Sequence, residues 1–236
     1  MGLNVKWVHG ALIYHDGQRW FDAFGEKVSK FVGDFIGTLF SAADAPDGWS
    51  ATLVELGAGE STIALQDAAG GQLLITADAN EDDGAQMQLT TEAFKLVAGF
   101  PCYFGCRFQI SEATQSDVLI GLCITDTTLL GGMTDGVYFR KIDGATALKF
   151  TLEKNSAESE EAVGTTIVGA TWYVVEFYFD GANVDAWVNG VQVARLAQTN
   201  LPDDEELTLS IAFLNGAAGA GKTATVDWIR AIQINA

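Results

Sequence analysis

The sequence has little proline, cysteine or basic charge, and each shortage excludes a class of protein. Its 236 residues include 3 Pro, 3 Cys and 26 Gly, so the turns depend on glycine and a disulfide scaffold is excluded. Lys and Arg total 13 against 31 Asp and Glu, and the net charge of −18 argues against nucleic acid or an anionic membrane as a partner. Since 48% of the residues are hydrophobic, we expect an acidic globular protein.

The sequence shows no pattern of a targeting or membrane-spanning segment. Residues 1–6 lack the apolar core of a secretory signal, and no stretch approaches the roughly 20 apolar residues of a spanning helix. We therefore expect synthesis in a cytosol and no membrane partner.

Residues that commonly bind metals or cofactors are few and scattered. Cys102 and Cys106 share one strand parity and are predicted to be core residues, and neither histidine lies near a cysteine in sequence. Asp78–Gly84 resembles the start of a calcium loop, but its glycine is at the seventh position and no glutamate follows at the twelfth. We predict no cofactor and no metal site, with a weak calcium site at Asp78–Asp83 as the alternative to a plain acidic turn.

Residues 1–48 are predicted to form an N-terminal extension with short strands and one amphipathic helix near residues 26–40. Apolar residues there recur at i, i+3, i+4 and i+7, which places them on one face of a helix. Such a face needs cover, so we expect the helix either to pack on its own domain or to bind a partner protein. The candidate partner-binding residues are Val28, Phe31, Val32, Phe35, Ile36, Leu39 and Phe40.

Residues 49–236 change to a period of two, which indicates β-strands. Val175, Phe177 and Phe179 alternate with more polar residues, so each strand offers one apolar face. Many short strands without intervening helical patterns predict an all-β domain, a two-sheet antiparallel jelly-roll sandwich. Residues 155–164 are predicted to be a solvated acidic loop.

Trp187 is the candidate residue for stacking against a ligand. It lies in a predicted strand whose apolar face consists of Val184, Ala186 and Val188, and its own parity is opposite to theirs. We therefore expect its indole ring to be exposed, where an aromatic ring can pack against a ligand.

Gly216–Thr223 matches the phosphate-loop pattern Gly-x4-Gly-Lys-Thr, yet nucleotide binding is not predicted. That pattern holds phosphate at the N-terminus of a helix that begins at the lysine. The residues after Lys222 are β-branched and alternating, and only 14 of them remain. We predict a hairpin loop instead.

No catalytic arrangement stands out. Glu81–Gln86 nearly matches the Glu-x-Asp-x-x-Glu pattern of some jelly-roll glucanases, but Gln86 replaces the last glutamate. His9 and His15 do not lie in a recognisable nucleophile motif. We predict no catalytic residues and no enzyme.

Longer stretches resemble known families. Trp172–Ala194 and Val226–Arg230 resemble the concanavalin A-like, laminin-G-type jelly roll, a fold of glucanases, lectins and passive modules. Leu12–Gly25, Gly71–Ala85 and Gly121–Lys141 resemble tailed-bacteriophage proteins encoded near capsid genes.

The second resemblance implies a non-enzymatic virion structural protein. The predicted role is a capsid decoration or cement protein that binds the major capsid protein of a phage as a homo-oligomer, such as a trimer, on the virion surface. The alternatives are a lectin-like carbohydrate-binding module for host-surface adsorption and a glycoside hydrolase. A hydrolase requires two carboxylates facing a groove.

Overall fold

The computed structural model describes residues 4–8, 11–38, 40, 45–57, 59–219 and 221–235, and this part of the chain is all-β. It contains strands and turns without a helix, so no described segment is a helix able to cross a membrane. The strands are β1 (Asn4–Val8), β2 (Ala11–His15), β3 (Trp20–Phe24), β4 (Val28–Gly33), β5 (Trp49–Val54), β6 (Thr62–Gln66), β7 (Gln72–Thr76), β8 (Gly84–Leu89), β9 (Cys102–Ile110), β10 (Ser116–Cys123), β11 (Gly136–Lys141), β12 (Ala147–Lys154), β13 (Ala157–Thr166), β14 (Tyr173–Phe179), β15 (Asn183–Val188), β16 (Val191–Ala197), β17 (Thr208–Asn215) and β18 (Thr223–Ile234).

Two large antiparallel sheets face each other in a jelly-roll-like sandwich. The seven-stranded sheet has the order β13-β12-β11-β10-β17-β8-β5. The eight-stranded sheet has the order β16-β15-β14-β9-β18-β7-β6, and β4 also pairs with β18. The predicted all-β sandwich is therefore confirmed.

Alternate residues of both sheets point inward and form one hydrophobic core. The rings of Phe104 and Phe177 stack within the eight-stranded sheet, with centroids 5.0 Å apart. Phe150 of the seven-stranded sheet meets Phe177 at 5.8 Å, so this aromatic contact crosses the sandwich. All three side chains are buried, and aromatic pairs at these distances add to the stabilisation that burial alone provides.

Strands β1, β2 and β3 form a separate small sheet that covers part of the outer face of the eight-stranded sheet. Ala11, Ile13 and Ala23 of the small sheet share a buried cluster with Tyr178 and Trp187. Polar contacts hold the same interface, because Arg19 donates a hydrogen bond to Glu176 Oε2 at 2.7 Å and lies over the Trp187 ring at 5.0 Å. The small sheet is thus attached by apolar packing and by a buried charge pair.

The predicted helix near residues 26–40 is wrong, because Val28–Gly33 forms the strand β4. β18 has 12 residues, and β7 pairs only with its first part, from Thr223 to Val226. The edge from Ile229 to Ile234 stays free of β7, and β4 occupies it. A ladder with an existing strand overrides a helical spacing that no local cap supports. β4 also lies before the predicted start of the jelly-roll domain at residue 49.

Two loops predicted from composition differ in the structure. Ala157–Thr166 is not a loop but the edge strand β13, whose mostly exposed acidic side chains suit a sheet edge. Residues 216–222 do not close a hairpin, because they connect β17 of one sheet to β18 of the other. No helix follows Lys222, whose ammonium donates hydrogen bonds to Asn215 Oδ1 and to the Ala217 carbonyl. A strand therefore stands where the phosphate-loop pattern requires a helix.

Gly121 gives a test of the close approach between β10 and β11. A Cβ at this position would lie 2.3 Å from the Val137 carbonyl oxygen and 2.6 Å from the Tyr138 Cα, which are backbone atoms that cannot move aside. We expect Gly121→Ala to lower the free energy of unfolding by about 1–3 kcal/mol in urea denaturation, the usual cost of overpacking. Gly131→Ala is the matched control, since no atom lies within 4 Å of its Cβ. Equal stability of the two variants would contradict this packing.

Candidate functional site

The outer face of the seven-stranded sheet is partly covered by the loop between β10 and β11. Leu129 and Met133 of this loop pack on Leu119, Cys123 and Tyr138, which point outward from the sheet. The loop therefore divides the outer face and leaves space on either side.

The three cysteines of the chain are free and buried, as predicted for Cys102 and Cys106.

Two glutamines of β8 hold this loop. Gln86 donates to the Thr127 carbonyl and accepts from the Leu129 amide at 2.5 Å. Gln88 donates to the Ile124 carbonyl at 2.9 Å and accepts from the Asp126 amide at 2.9 Å. Because each amide both donates and accepts, these side chains fix the loop over the sheet.

A groove of about 380 Å³ lies beside the loop. Asp82 comes from the loop between β7 and β8, Asp117 from the start of β10, and Asp143 from the turn after β11. Asp82 and Asp143 are exposed, whereas Asp117 is only 7% exposed. Three carboxylates on separate segments thus meet at one groove, with Asp117 as the buried member. The remaining lining residues are Val54, Gln86, Thr127, Thr128, Leu130, Gly131, Ile142 and Leu214.

The surroundings of Asp117 favour its neutral form. Burial raises the pKa of the Asp117 carboxyl, and the charges of Asp143 and Asp82 raise it further. The Asp143 amide, which donates to Asp117 Oδ1 at 2.8 Å, and the Lys141 ammonium oppose this shift without cancelling it. A carboxyl with a raised pKa beside other carboxylates is an arrangement that acid–base chemistry uses.

Glu153 and Glu158 form a second pair on the same face, but their oxygens are occupied. The Tyr138 hydroxyl lies 2.7 Å from Glu153 Oε2 and 3.4 Å from Glu158 Oε1. Both oxygens of Glu158 accept hydrogen bonds from Arg140, each at 3.0 Å. Burial raises the pKa of Glu153, but Glu153 accepts from the Tyr138 hydroxyl and does not line the groove beside the β10–β11 loop, so we interpret the pair as structural.

A different carboxylate group marks where a cation could bind. Carboxylate oxygens of Glu55, Asp78 and Asp83 lie within 4.8 Å of one another. Asp83 is fully buried, and its oxygens already accept hydrogen bonds from the Leu56 amide and from Asn80. Of the suspected calcium segment Asp78–Asp83, only the two end residues belong to this group.

The predicted partner-binding residues do not form one face. Phe31 packs on Trp49 with ring centroids 5.7 Å apart, and Phe35 is buried in the core. Val32 and Ile36 are exposed, and Leu39 lies outside the described residues. Val28 and Phe40 are half-buried against the two apolar clusters. The exposed and buried members alternate because the segment is a strand followed by a turn.

Trp187 is buried rather than exposed. Its parity is as predicted, since it points to the face opposite the core, but the small N-terminal sheet covers it and leaves 2% of it accessible. No stacking role follows for this residue in the folded chain.

Sequence reasoning missed Asp117 and Asp143. Asp117 has the outward parity at the start of an apolar strand, and Asp143 belongs to an Asp-Gly turn that appeared only as a connection. The near-match to the glucanase pattern gave only partial guidance. Its last position, Gln86, lines the groove, whereas its Asp83 is buried beside Glu55 and Asp78, and Asp82 occupies a variable position of the pattern. Gln86 is committed to the loop, so it cannot serve as the acid that the pattern requires.

Comparison with known proteins identifies the fold. No protein-family model and no curated protein sequence matches the chain. An endo-1,3-beta-glucanase from Streptomyces sioyaensis superimposes with a TM-score of 0.63 at 12% identity, over 92% of this chain and 100% of that one. A glycoside hydrolase family 16 endo-glucanase from Bacteroides ovatus gives 0.58 at 10% identity, over 84% and 98%. A Shewanella oneidensis protein of unknown function gives 0.57 at 14% identity, over 87% and 86%.

These similarities establish the jelly-roll fold and correct the functional prediction. The predicted role as a non-enzymatic phage capsid decoration protein is contradicted, because solved structures with the same fold are glucan-cleaving enzymes. The prediction of no enzyme fails on the same finding. It rested on motif matching, which could not detect carboxylates that separate loops bring together.

The raised pKa of Asp117 gives a stability test. When the folded-state pKa of an acid is raised, the unfolded chain loses the proton at lower pH than the folded chain. The resulting loss of stability is absent below the unfolded-state pKa near 3.9, grows as pH rises from there through the folded-state pKa, and is constant above it. Asp117→Asn removes this cost. We expect the stability of the variant relative to the native protein to increase between pH 4 and pH 7 in urea denaturation. Asp67→Asn, at an exposed turn, should give a flat difference, and a flat result for Asp117→Asn would contradict the shift.

Proposed function

We propose that the protein is a carbohydrate-active enzyme that cleaves a glycosidic bond in the groove beside the β10–β11 loop. The observation that carries this proposal is Asp117, a buried carboxyl with a raised pKa that opens onto a groove rimmed by Asp82 and Asp143. A fold shared with glucan-cleaving enzymes supports the substrate class.

Each carboxyl group has a distinct role in this reaction. Asp117 holds a proton to higher pH than an exposed aspartic acid and donates it to the glycosidic oxygen as that bond breaks. An ionised carboxylate at the rim, Asp82 or Asp143, then either activates a water molecule or attacks the sugar carbon. The carboxylate separation in the bound complex decides between these routes, with about 5–5.5 Å for attack and 6.5–9.5 Å for water activation.

The walls of the groove suit a sugar. Leu130, Ile142 and Leu214 supply apolar surface for the faces of a pyranose ring, and Thr127 and Thr128 supply hydroxyl groups beside it. The Thr128 hydroxyl and amide already bond to Asp126 Oδ1, at 2.7 and 2.6 Å, which keeps this side of the loop rigid. A fixed wall costs little ordering when a ligand binds.

The proposal predicts that Asp117→Asn abolishes glucan cleavage. Asparagine keeps the acceptor for the Asp143 amide but has no proton to donate, so we expect the rate to fall about 10²–10⁴-fold. Reducing-sugar release from laminarin and from mixed-linkage β-glucan measures it. Asp82→Asn and Asp143→Asn, tested singly, identify the second carboxylate as the one whose loss lowers kcat comparably.

Glu153→Gln is the matched control. It replaces a buried carboxyl of the same sheet face that also has a raised pKa, and its amide oxygen still accepts from Tyr138. Its cleavage rate should remain that of the native protein. If Glu153→Gln loses the activity while Asp117→Asn retains it, the groove is not the active site.

A further inference from the structure

The opposite face of the sandwich also carries features of a ligand site. The small N-terminal sheet covers only part of the eight-stranded sheet. It buries Tyr103 at the start of β9, whereas the outer side chains of β6, β7, the end of β9 and the first part of β18 lie outside that buried cluster. These strands span about 14 Å at the usual spacing between neighbours. A groove of about 370 Å³ crosses them.

The lining of this groove is uncharged and mixes polar with apolar side chains. Its polar members are Gln66, Gln109, Ser111, Thr223 and Thr225, and its apolar members are Leu74, Ile110 and Ala170. No described residue pairs with the amides of Gln66 and Gln109 or with the hydroxyl of Thr225. Side chains that satisfy one another across a sheet would be structural, whereas these keep their donors and acceptors for whatever lies in the groove.

A β-bulge places aromatic and charged groups at one end of the groove. The register of β18 against β9 shifts between Val226 and Trp228, and both Asp227 and Trp228 reach the outer face as a result. A Cβ at Gly105 would lie 3.2 Å from Trp228 Cζ3, so the glycine leaves room for the indole ring over the sheet. Bulges that re-aim side chains in this way are common beside binding sites.

Two guanidinium groups at this end contact the aromatic side chains. Arg107 pairs with Asp227 and lies 4.2 Å from the centroid of the Trp172 ring. Arg230 lies 4.7 Å from the Trp228 ring and donates to the Tyr103 hydroxyl at 3.1 Å. The result is two half-buried indole rings, each beside a guanidinium group.

We propose that this surface, formed by Trp172, Trp228, Gln109 and Thr225, is a second glycan-binding site that holds a neutral polysaccharide chain away from the cleavage groove. Pyranose rings pack on the indole rings through their C–H faces, and their hydroxyl groups pair with the unpartnered amide and hydroxyl groups of the floor. The inference shares its ligand class with the proposed function but depends on different residues and on the other sheet.

Affinity electrophoresis in gels containing laminarin, a neutral β-1,3-glucan, tests this site. We expect Trp228→Ala and Trp172→Ala each to weaken retardation at least tenfold. Gln109→Ala and Thr225→Val, which remove polar groups without opening the core, should weaken it less. Trp7→Ala is the matched control, because Trp7 is 71% exposed on the small N-terminal sheet, and it should bind as the native protein does. Polygalacturonate, an anionic polysaccharide, should not retard the protein.

The outcomes separate this site from the cleavage groove. Asp117→Asn should keep full retardation, so loss of cleavage with intact binding would support both proposals. If both tryptophan variants are retarded as strongly as the native protein, the second site is overturned. It is also overturned if Gln109→Ala and Thr225→Val are retarded as strongly as the native protein while Trp7→Ala is retarded less. Absence of retardation of the native protein in laminarin and in mixed-linkage β-glucan would also overturn it, whatever the cleavage assay shows.

Discussion

The contact between the inner faces of the two sheets is the interaction on which the other features depend. Phe104 and Phe177 of one sheet meet Phe150 of the other, and removing a buried phenylalanine commonly costs about 3–5 kcal/mol. Because the inward side chains are committed to this contact, the outward side chains are left for other contacts, such as the buried clusters under the N-terminal sheet and under the β10–β11 loop. The chemistry of the molecule can therefore lie only on the two outer faces and in the loops that cross them.

The two outer faces are covered in different ways. On the seven-stranded sheet the chain uses its own β10–β11 loop, fastened by Gln86 and Gln88. On the eight-stranded sheet it uses the N-terminal sheet, fastened by the Arg19–Glu176 pair and by packing on Trp187. A buried ion pair such as Arg19–Glu176 adds little net stability, although removing one member would leave an uncompensated charge. We therefore interpret these contacts as positioning the two covers. Each cover is smaller than the face beneath it, and a groove remains beside each one.

Local alternation predicted the strands and their inward faces, but not what lies outside them. Phe177 and Phe179 point inward as their spacing requires, and Trp187 has the outward parity expected of it. Its burial depends on residues more than 160 positions earlier in the chain, and no local pattern contains that contact. The same limit explains β4, since its spacing is ambiguous and the vacant edge of β18 determines the outcome.

The candidate site could be predicted only in part for the same reason. Gln86 is the last position of a recognisable motif and Asp82 is a variable position within it, whereas Asp117 and Asp143 join them through pairings between strands distant in sequence. The pKa of Asp117 reflects burial first and neighbouring charge second, and neither is a property of the surrounding residues in sequence. A charged residue at the outward parity of an otherwise apolar strand was the one available signal.

The charge distribution limits the ligand more strongly than the fold does. The net charge is −18, and the cationic groups nearest the grooves already have partners: Lys141 bonds to the Ser116 carbonyl, and Arg107 pairs with Asp227. A uronic acid in the proposed cleavage groove would place its carboxylate beside three aspartates, and the described residues that line this groove include no Lys or Arg. A neutral sugar carries no such penalty, and its hydroxyl groups match the amides and hydroxyls that both grooves present. Under the proposed function, the acidity that disfavours nucleic acid would also select among polysaccharides and favour uncharged glucans over polyuronides.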